Sequence, residues 1–500
     1  MMPAFFRTIT FLVSLPVLAG GLKPYATAHH AVSTQNELAQ QYFDQALTLY
    51  YSYNGAEAIP LFDRAIALDS HLAMAYYGIA LAAGADLNTP LTEDGFKRAA
   101  DALRTARSLE NSANPSERAY IQALSLRYAH QFKDREADEA RYRSAMAELA
   151  SRYPSDDDAL TLNAEALLEQ SGRADLWNTD GSPRTAEVAT MWTTLRTVLL
   201  RTPMHIGANH LFIHLFDSAA NPEAALPSAR RLSQMNFAPA AEHLAHMPAH
   251  TFNETGNYAV AAVASREAIR LFDAYLASDH NATHDNYWSH DVSVGLTALR
   301  MLGNYGDALQ LSRRLDEHFH YSDASVLTMV RFYRWDDVLR LHPAQASDVL
   351  RFARGIGLAA TGNLGEAQKQ LEALKKANGG DALSRDLLAA KIAIARSDLP
   401  SAETLLLRAQ ALDQRVDTGE YPYFYPPDEA LGALYFRMNQ FGKSETAFRK
   451  ALRAHPHGGR ALFGLWKTLA AENKLEARSV QRQFEAAWEH NDTSLDITQL

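Results

Sequence analysis

The chain has 500 residues, no cysteine, 19 histidines and 48 basic against 58 acidic side chains, for a formal net charge of −10. The missing cysteine excludes disulfide frameworks, thiolate metal sites and cysteine nucleophiles, and the acidic balance argues against nucleic-acid binding, which needs a clustered basic surface. Hydrophobic content of 47% supports a real core, so the length implies either about three globular domains or one long repeat array.

The first element is an address. Arg7 follows a short N-terminal stretch, and Ile9 to Ala19 is apolar but too short to span a bilayer as a helix. Ala26-Thr27-Ala28 has the small-x-small form of a signal-peptidase site. Residues 1–28 are therefore expected to be a cleaved secretory signal, with His29 as the new N-terminus. No later segment reaches eighteen uninterrupted apolar residues, so no stable membrane insertion is expected after cleavage. A secreted or bacterial periplasmic location follows, where a chain without thiols has nothing to mispair.

From about Glu37 to Trp488, apolar residues recur at spacings of three and four and strand signals are scarce. Gly256-Asn-Tyr258, Gly303-Asn-Tyr305 and Gly362-Asn-Leu364 are each followed, five residues after the glycine, by Ala261, Ala308 and Ala367. An early copy reads Ala58-x3-Phe62-x2-Ala65, and a late one reads Ser444-x3-Phe448-x2-Ala451 before Pro456. This is the second half of the 34-residue tetratricopeptide (TPR) pattern, in which small residues let two antiparallel helices pack closely. The expected fold is all-α: a right-handed TPR superhelix, an α-solenoid of roughly ten to twelve helix pairs with one continuous core. Residues 29–500 form a single elongated domain in this reading, with inserted loops near 170–185, 277–288 and 417–428 where Gly, Pro, Asn and Asp gather.

The histidines carry the functional signal. Eleven of the 19 lie between His205 and His320, where a uniform spread would place between four and five. In a TPR unit the second, fifth, ninth and twelfth residues of the first helix face the concave groove. Registered on Ala261, those places are His243, His246, His250 and Asn253; registered on Ala225, they are Gly207, His210, His214 and Asp217. The unit upstream offers Asp158, Thr161, Glu165 and Glu169, and the unit downstream offers His290, Ser293 and Thr297.

His210 and His214 are four apart, as are His246 and His250, so each pair shares a helical face. The pairs are offset by one repeat, and adjacent helices at roughly 8–10 Å bring such imidazoles towards a common point. The expected ligands are His210, His214, His243, His246 and His250, with Glu165 as a carboxylate from the preceding helix. Asp217 and Asn253 would orient them, and His290 would line the groove. Imidazole with carboxylate suits a divalent transition metal (Zn, Cu, Fe or Ni) over Ca or Mg. Pro248 inside the same helix frees the Leu244 carbonyl. Two metal-free readings also fit the spacing: a groove whose histidines bind an anionic or peptide ligand, and a structural, pH-responsive network. His-x2-His-x3-His lacks the glutamate of a HExxH zincin motif, so no catalytic base is assigned.

Other signals are thinner. His29-His30 would chelate copper only as a new N-terminus, and Tyr421 to Pro427 offers aromatic faces from a connecting loop. Gly355-Ile-Gly357 has no preceding strand, which leaves nucleotide binding unsupported.

The chain resembles a family of bacterial TPR proteins, many of them exported, that share a histidine-rich central segment. The resemblance lies in Gly207-Ala-Asn-His210-x3-His214, Asn221 to Pro227 and His243-Leu-Ala-His246-Met-Pro-Ala-His250, and continues through Met329 to Asp336 and Gly459 to Leu465. That family's pattern has a second histidine after the one matched by His290, where this chain has Ser293. The resemblance implies the fold and the histidine motif and no particular activity. Two functions remain open: a scaffold that captures a protein or peptide segment or a small molecule in its groove, and a metal-dependent enzyme acting in the same groove.

Overall fold

The computed structural model describes residues 25–133, 135–171, 176–217, 219–278, 285–318, 323–341, 347–376, 381–413 and 426–500. The leader stretch 1–24 and parts of the three expected insertions (172–175, 279–284 and 417–425) lie outside the described residues. Among the described residues there are 24 α-helices, three short 3-10 turns and one isolated bridge, Trp177 to Pro183. Consecutive helices pack in twelve pairs, Glu37–Tyr50 with Gly55–Leu68 through to Gly459–Ala471 with Ala477–Ala487. The chain is an α-solenoid. No described helix is long and apolar enough to cross a membrane.

The pairing is written into small residues. Ala58, Ala65, Ala261, Ala268, Ala308, Ala367, Ala402 and Ala409 have no exposed surface, and their short side chains let the helices of a pair approach closely. Polar caps set the helix starts: Asn36, Asn54, Thr92, Ser347 and Asp381 accept backbone N–H groups of the first turn, and Asn114 forms a capping box with Glu117.

One turn recurs between the helices of a pair. Gly256, Gly303 and Gly362 adopt φ of 71°, 74° and 84°, and the following asparagine N–H bonds back to Phe252, Leu299 and Leu358. The same backbone bond forms after Tyr53, Tyr333, Ser397, Asn439 and Asn473, which take φ of 54° to 62° without being glycine. These are Schellman turns. The sequence landmark thus marks three of eight equivalent places.

The array curls back on itself. Asn54, in the first turn, donates to the Ala240 carbonyl (2.9 Å), Tyr51 donates to Asp158 (2.5 Å), and Tyr275 donates to Glu57 (2.7 Å). Gly207 lies so close to the Tyr51 ring that no β-carbon fits. At the other end, Asp492 accepts the Tyr305 and Gly306 N–H groups (2.6 and 2.8 Å), and Gly256 abuts the Pro456 carbonyl.

The expected single core is divided. Buried apolar side chains form three clusters, one from Ala28 to Phe332, a second from Val326 to Ala447 and a third from Ala433 to Leu500. Buried charge interposes near the junctions. Arg331 grips Glu429 with both Nη atoms (2.6 and 3.2 Å), Arg460 donates to the Arg331 carbonyl, and Arg300 donates to Thr328 and to the Ala324 carbonyl. Burial lowers Arg300 to about 9 and Arg460 to about 10, with Arg331 adding repulsion to both. Burial would raise Glu429, but the charge and hydrogen bonds of Arg331 hold it below the usual carboxylate range.

Candidate metal centre

The Ile206–Phe216 helix is buried at every residue, and the Glu242–Glu254 helix at every residue but the last. A helix that is apolar all round belongs in an interior, and here the histidines are carried inside with it. His205 starts the first helix by accepting the Ala208 N–H on Nδ1 (3.1 Å). The second runs through Pro248 without a break. A third helix, Asp285–Met301, packs against the second and brings His290 and Asp291.

Six histidines gather as two triads, where the sequence pointed to one shared point. His246, His250 and His290 each offer a ring nitrogen within 4.8 Å of the others, and so do His210, His214 and His243. In the first triad the Nε2 atoms converge: His246 to His250 is 2.8 Å and His250 to His290 is 3.1 Å. The opposite edges meet carboxylates, with His246 Nδ1 3.0 Å from Asp291 and His250 Nδ1 4.0 Å from Asp217. In the second triad His210 donates its Nδ1 proton to the Tyr51 carbonyl (2.7 Å). The triads adjoin through His243 and His246, whose rings stack at 6.0 Å.

Burial governs the electrostatics. It pushes His243 well below the ordinary histidine value, and the charges of His210, His246, His214 and His290 act in the same direction. It raises Asp291 to about 8, countered by His290, and also raises Glu242 well above the usual carboxylate range with help from Asp291. A neutral imidazole, the form towards which burial drives His243, is the form in which histidine ligates a metal.

Several expectations need correction. Glu165 joins neither triad: it accepts the Tyr50 hydroxyl (2.6 Å), and burial raises its carboxyl to about 8 with Glu169 adding repulsion. The end of the first helix meets this glutamate's helix instead, where Tyr51 also donates to Asp158. His290, expected only to line the groove, stands within the first triad, because its helix packs directly on the one carrying His250. Asn253 donates to the Val294 carbonyl (3.0 Å) and so fixes the helix of His290. The expected open groove is closed at this point: His210, His214, His243, His246 and His250 are 0–3% exposed.

Three residues near the triads escaped the sequence reading. Asp291 follows His290 directly but falls off the concave register. Tyr287 sets its ring against His243 (5.2 Å). Tyr53 covers the second triad, with ring centroids 4.5, 5.6 and 5.6 Å from His210, His214 and His243. Its signal was the alignment of Tyr53-Asn54 with Gly256-Asn257, which marks the first repeat's turn.

A third acidic and histidine group, His30 with Asp156 and Asp158, pins the N-terminal segment. His30 Nδ1 lies 2.8 Å from Asp158, which also contacts His205 (3.3 Å) and accepts from Tyr51. Ala28 N donates to Thr48 and Ala26 N to the Asn236 carbonyl (both 2.8 Å).

No protein-family model matches the chain, and no curated protein matches it either. Among solved structures it is similar to the APC/C hetero-tetramer Cut9–Hcn1, with 12% identity over 93% of this chain and 96% of that one and a TM-score of 0.29. It is also similar to the TPR domain of P58(IPK), with 12% identity over 89% and 98% and a TM-score of 0.23. For the human IFIT1 dimer with PPP-AAAA the values are 12% over 91% and 93%, with a TM-score of 0.32. These overlays are loose, and the α-solenoid rests on the chain's own helix pairs and turns.

Proposed function

We propose that this chain is an exported TPR-type solenoid that encloses a transition-metal centre, with His246, His250 and His290 as ligands. One observation carries the reading: the Nε2 atoms of buried His246 and His250 and of half-buried His290 converge at 2.8 and 3.1 Å, while Asp291 stands behind His246 and Asp217 behind His250. Ligands at 2.0–2.1 Å from a tetrahedral ion lie about 3.3 Å apart, so small ring rotations suffice. Imidazole donors favour Zn, Cu, Fe or Ni over Mg or Ca.

Three protein ligands leave a coordination position open, which is the pattern of catalytic rather than structural metal sites. Enclosure favours a small molecule at that position over a peptide segment. Metal-dependent chemistry on a small molecule is therefore supported above partner capture at the histidines. The apolar stretch at Ile9 to Ala19 supports export.

The test is elemental analysis of the full chain, purified without a histidine tag and reconstituted, beside a His246→Ala/His250→Ala variant. The wild type is expected to hold metal and the variant to lose it from this site. Fewer than about 0.2 transition-metal equivalents in the wild type would sink the reading.

A further inference from the structure

The second triad has its own claim on an ion. His210, His214 and His243 are 1%, 1% and 3% exposed, and no carboxylate stands among the nitrogens they bring together. The Tyr51 carbonyl can only accept, so His210 carries a proton on Nδ1, and Nε2 is the nitrogen left to bind an ion. His243 has no hydrogen-bond partner for either ring nitrogen among the described residues. An unmet buried donor or acceptor is unfavourable, and a cation bound by the lone pairs would remove the penalty on the acceptor side.

A second observation points to the same place. Tyr53 stands at a turn position that glycine fills in the repeats of Gly256, Gly303 and Gly362 and that Tyr333, Ser397, Asn439 and Asn473 fill in others. The ring placed there covers all three imidazoles and shields the triad from water.

Resting on the reading that His246, His250 and His290 hold one ion, we infer that His210, His214 and His243 hold a second, so that the centre is dinuclear with three histidines to each half. His243 and His246 belong to different halves but lie three apart on one helix. The rings of these two histidines stack with centroids 6.0 Å apart, so the halves adjoin. All six protein donors are imidazole nitrogens, which favours Cu or Zn over hard oxygen-seeking cations. Each ion would keep an open position.

The tag-free full chain, stripped with chelator, would be titrated with Co(II) and followed by absorbance, then dialysed against Zn(II) and analysed for metal. Two equivalents are expected for the wild type, and one each for His210→Ala/His214→Ala and His246→Ala/His250→Ala. One equivalent in the wild type, with His210→Ala/His214→Ala unchanged, overturns the second ion and leaves the first standing. Two equivalents retained by His210→Ala/His214→Ala likewise overturn it, because the second ion then lies elsewhere. No binding at all removes both readings. The wild-type saturation point decides the matter even where a variant fails to fold.

Discussion

His246 and His250, four residues apart on one buried helix, turn their Nε2 atoms to within 2.8 Å of each other, while the Asp291 carboxylate stands 3.0 Å from the far edge of His246. A carboxylate in that position fixes the tautomer and raises the basicity of the ligating nitrogen. Asp291→Asn keeps the shape and replaces the carboxyl group behind His246 with an amide. It is expected to weaken metal binding by about 10–100-fold without changing the number of ions bound. Competition against a chromophoric chelator measures this, and an unchanged Kd would remove Asp291 from the site.

The helical array was readable because its determinants are local. Glycine turns, small residues such as Ala261 and Ala308, and the spacing of three and four each act within one helix pair. Registration placed His243, His246, His250, His210 and His214 on inward faces for the same reason. How far the array curls was not readable, because it depends on small rotations accumulated over many interfaces. That curl sets Tyr53 on His210, about 157 positions away in sequence, and gives Glu165 to Tyr50. It also splits one expected site into two. Nothing in the spacing of histidines along a single helix reveals which neighbour each ring will meet.

Glu165 gives a pH prediction with a definite sign. Burial, then repulsion from Glu169, raises its carboxyl from 4.5 to about 8. Between those values the folded chain holds a proton that the unfolded chain has released, so stability falls as pH rises through that window. Glu165→Gln removes the titration and should flatten the fall. Urea midpoints at about pH 5 and about pH 8 measure it for both proteins. Equal slopes for wild type and variant would show that Glu165 titrates normally.

His30 and Asp158 lock the N-terminal segment, and their pH limits oppose each other. Burial would lower His30, but the hydrogen bond and charge of Asp158 raise it overall. Burial would raise Asp158, but hydrogen bonds from His205 and His30 hold it far below the usual range. The His30 contribution is complete below about 6.5 and is lost as pH rises through its raised value; that of Asp158 is complete above about 3.8 and is lost in acid. Protease nicking within residues 29–34 should thus be slowest between about pH 4 and pH 6.5. His30→Ala should abolish that minimum.

Arg331 and Glu429 are 3% and 4% exposed and joined by two hydrogen bonds. Glu429→Gln removes the carboxylate from Arg331, which stands beside Arg300 and Arg460. Breaking such a pair costs about 3–5 kcal/mol, and chemical denaturation should show the loss. Glu366→Gln, at the exposed pair with Lys369, should leave the midpoint where it is. Equal effects at the two sites would mean that Arg331 finds another partner.

Phe448 sets the sign of two glycine substitutions. Its ring packs where a β-carbon on Gly464 or Gly432 would stand, with the nearest ring atom 2.7 Å from the place of the Gly432 β-carbon. Alanine is favoured over glycine in a helix by up to about 1 kcal/mol, but overpacking a core costs about 1–3 kcal/mol. Gly464→Ala should therefore destabilise the chain, whereas Gly442→Ala, in open space on the helix of Phe448, should stabilise it. Trimming the obstacle separates the two terms. In a Phe448→Leu background, Gly464→Ala should lose much of its penalty, and the coupling is read from a double-mutant cycle. Strict additivity of the two substitutions would mean that the glycine is kept for its backbone and not for the ring beside it.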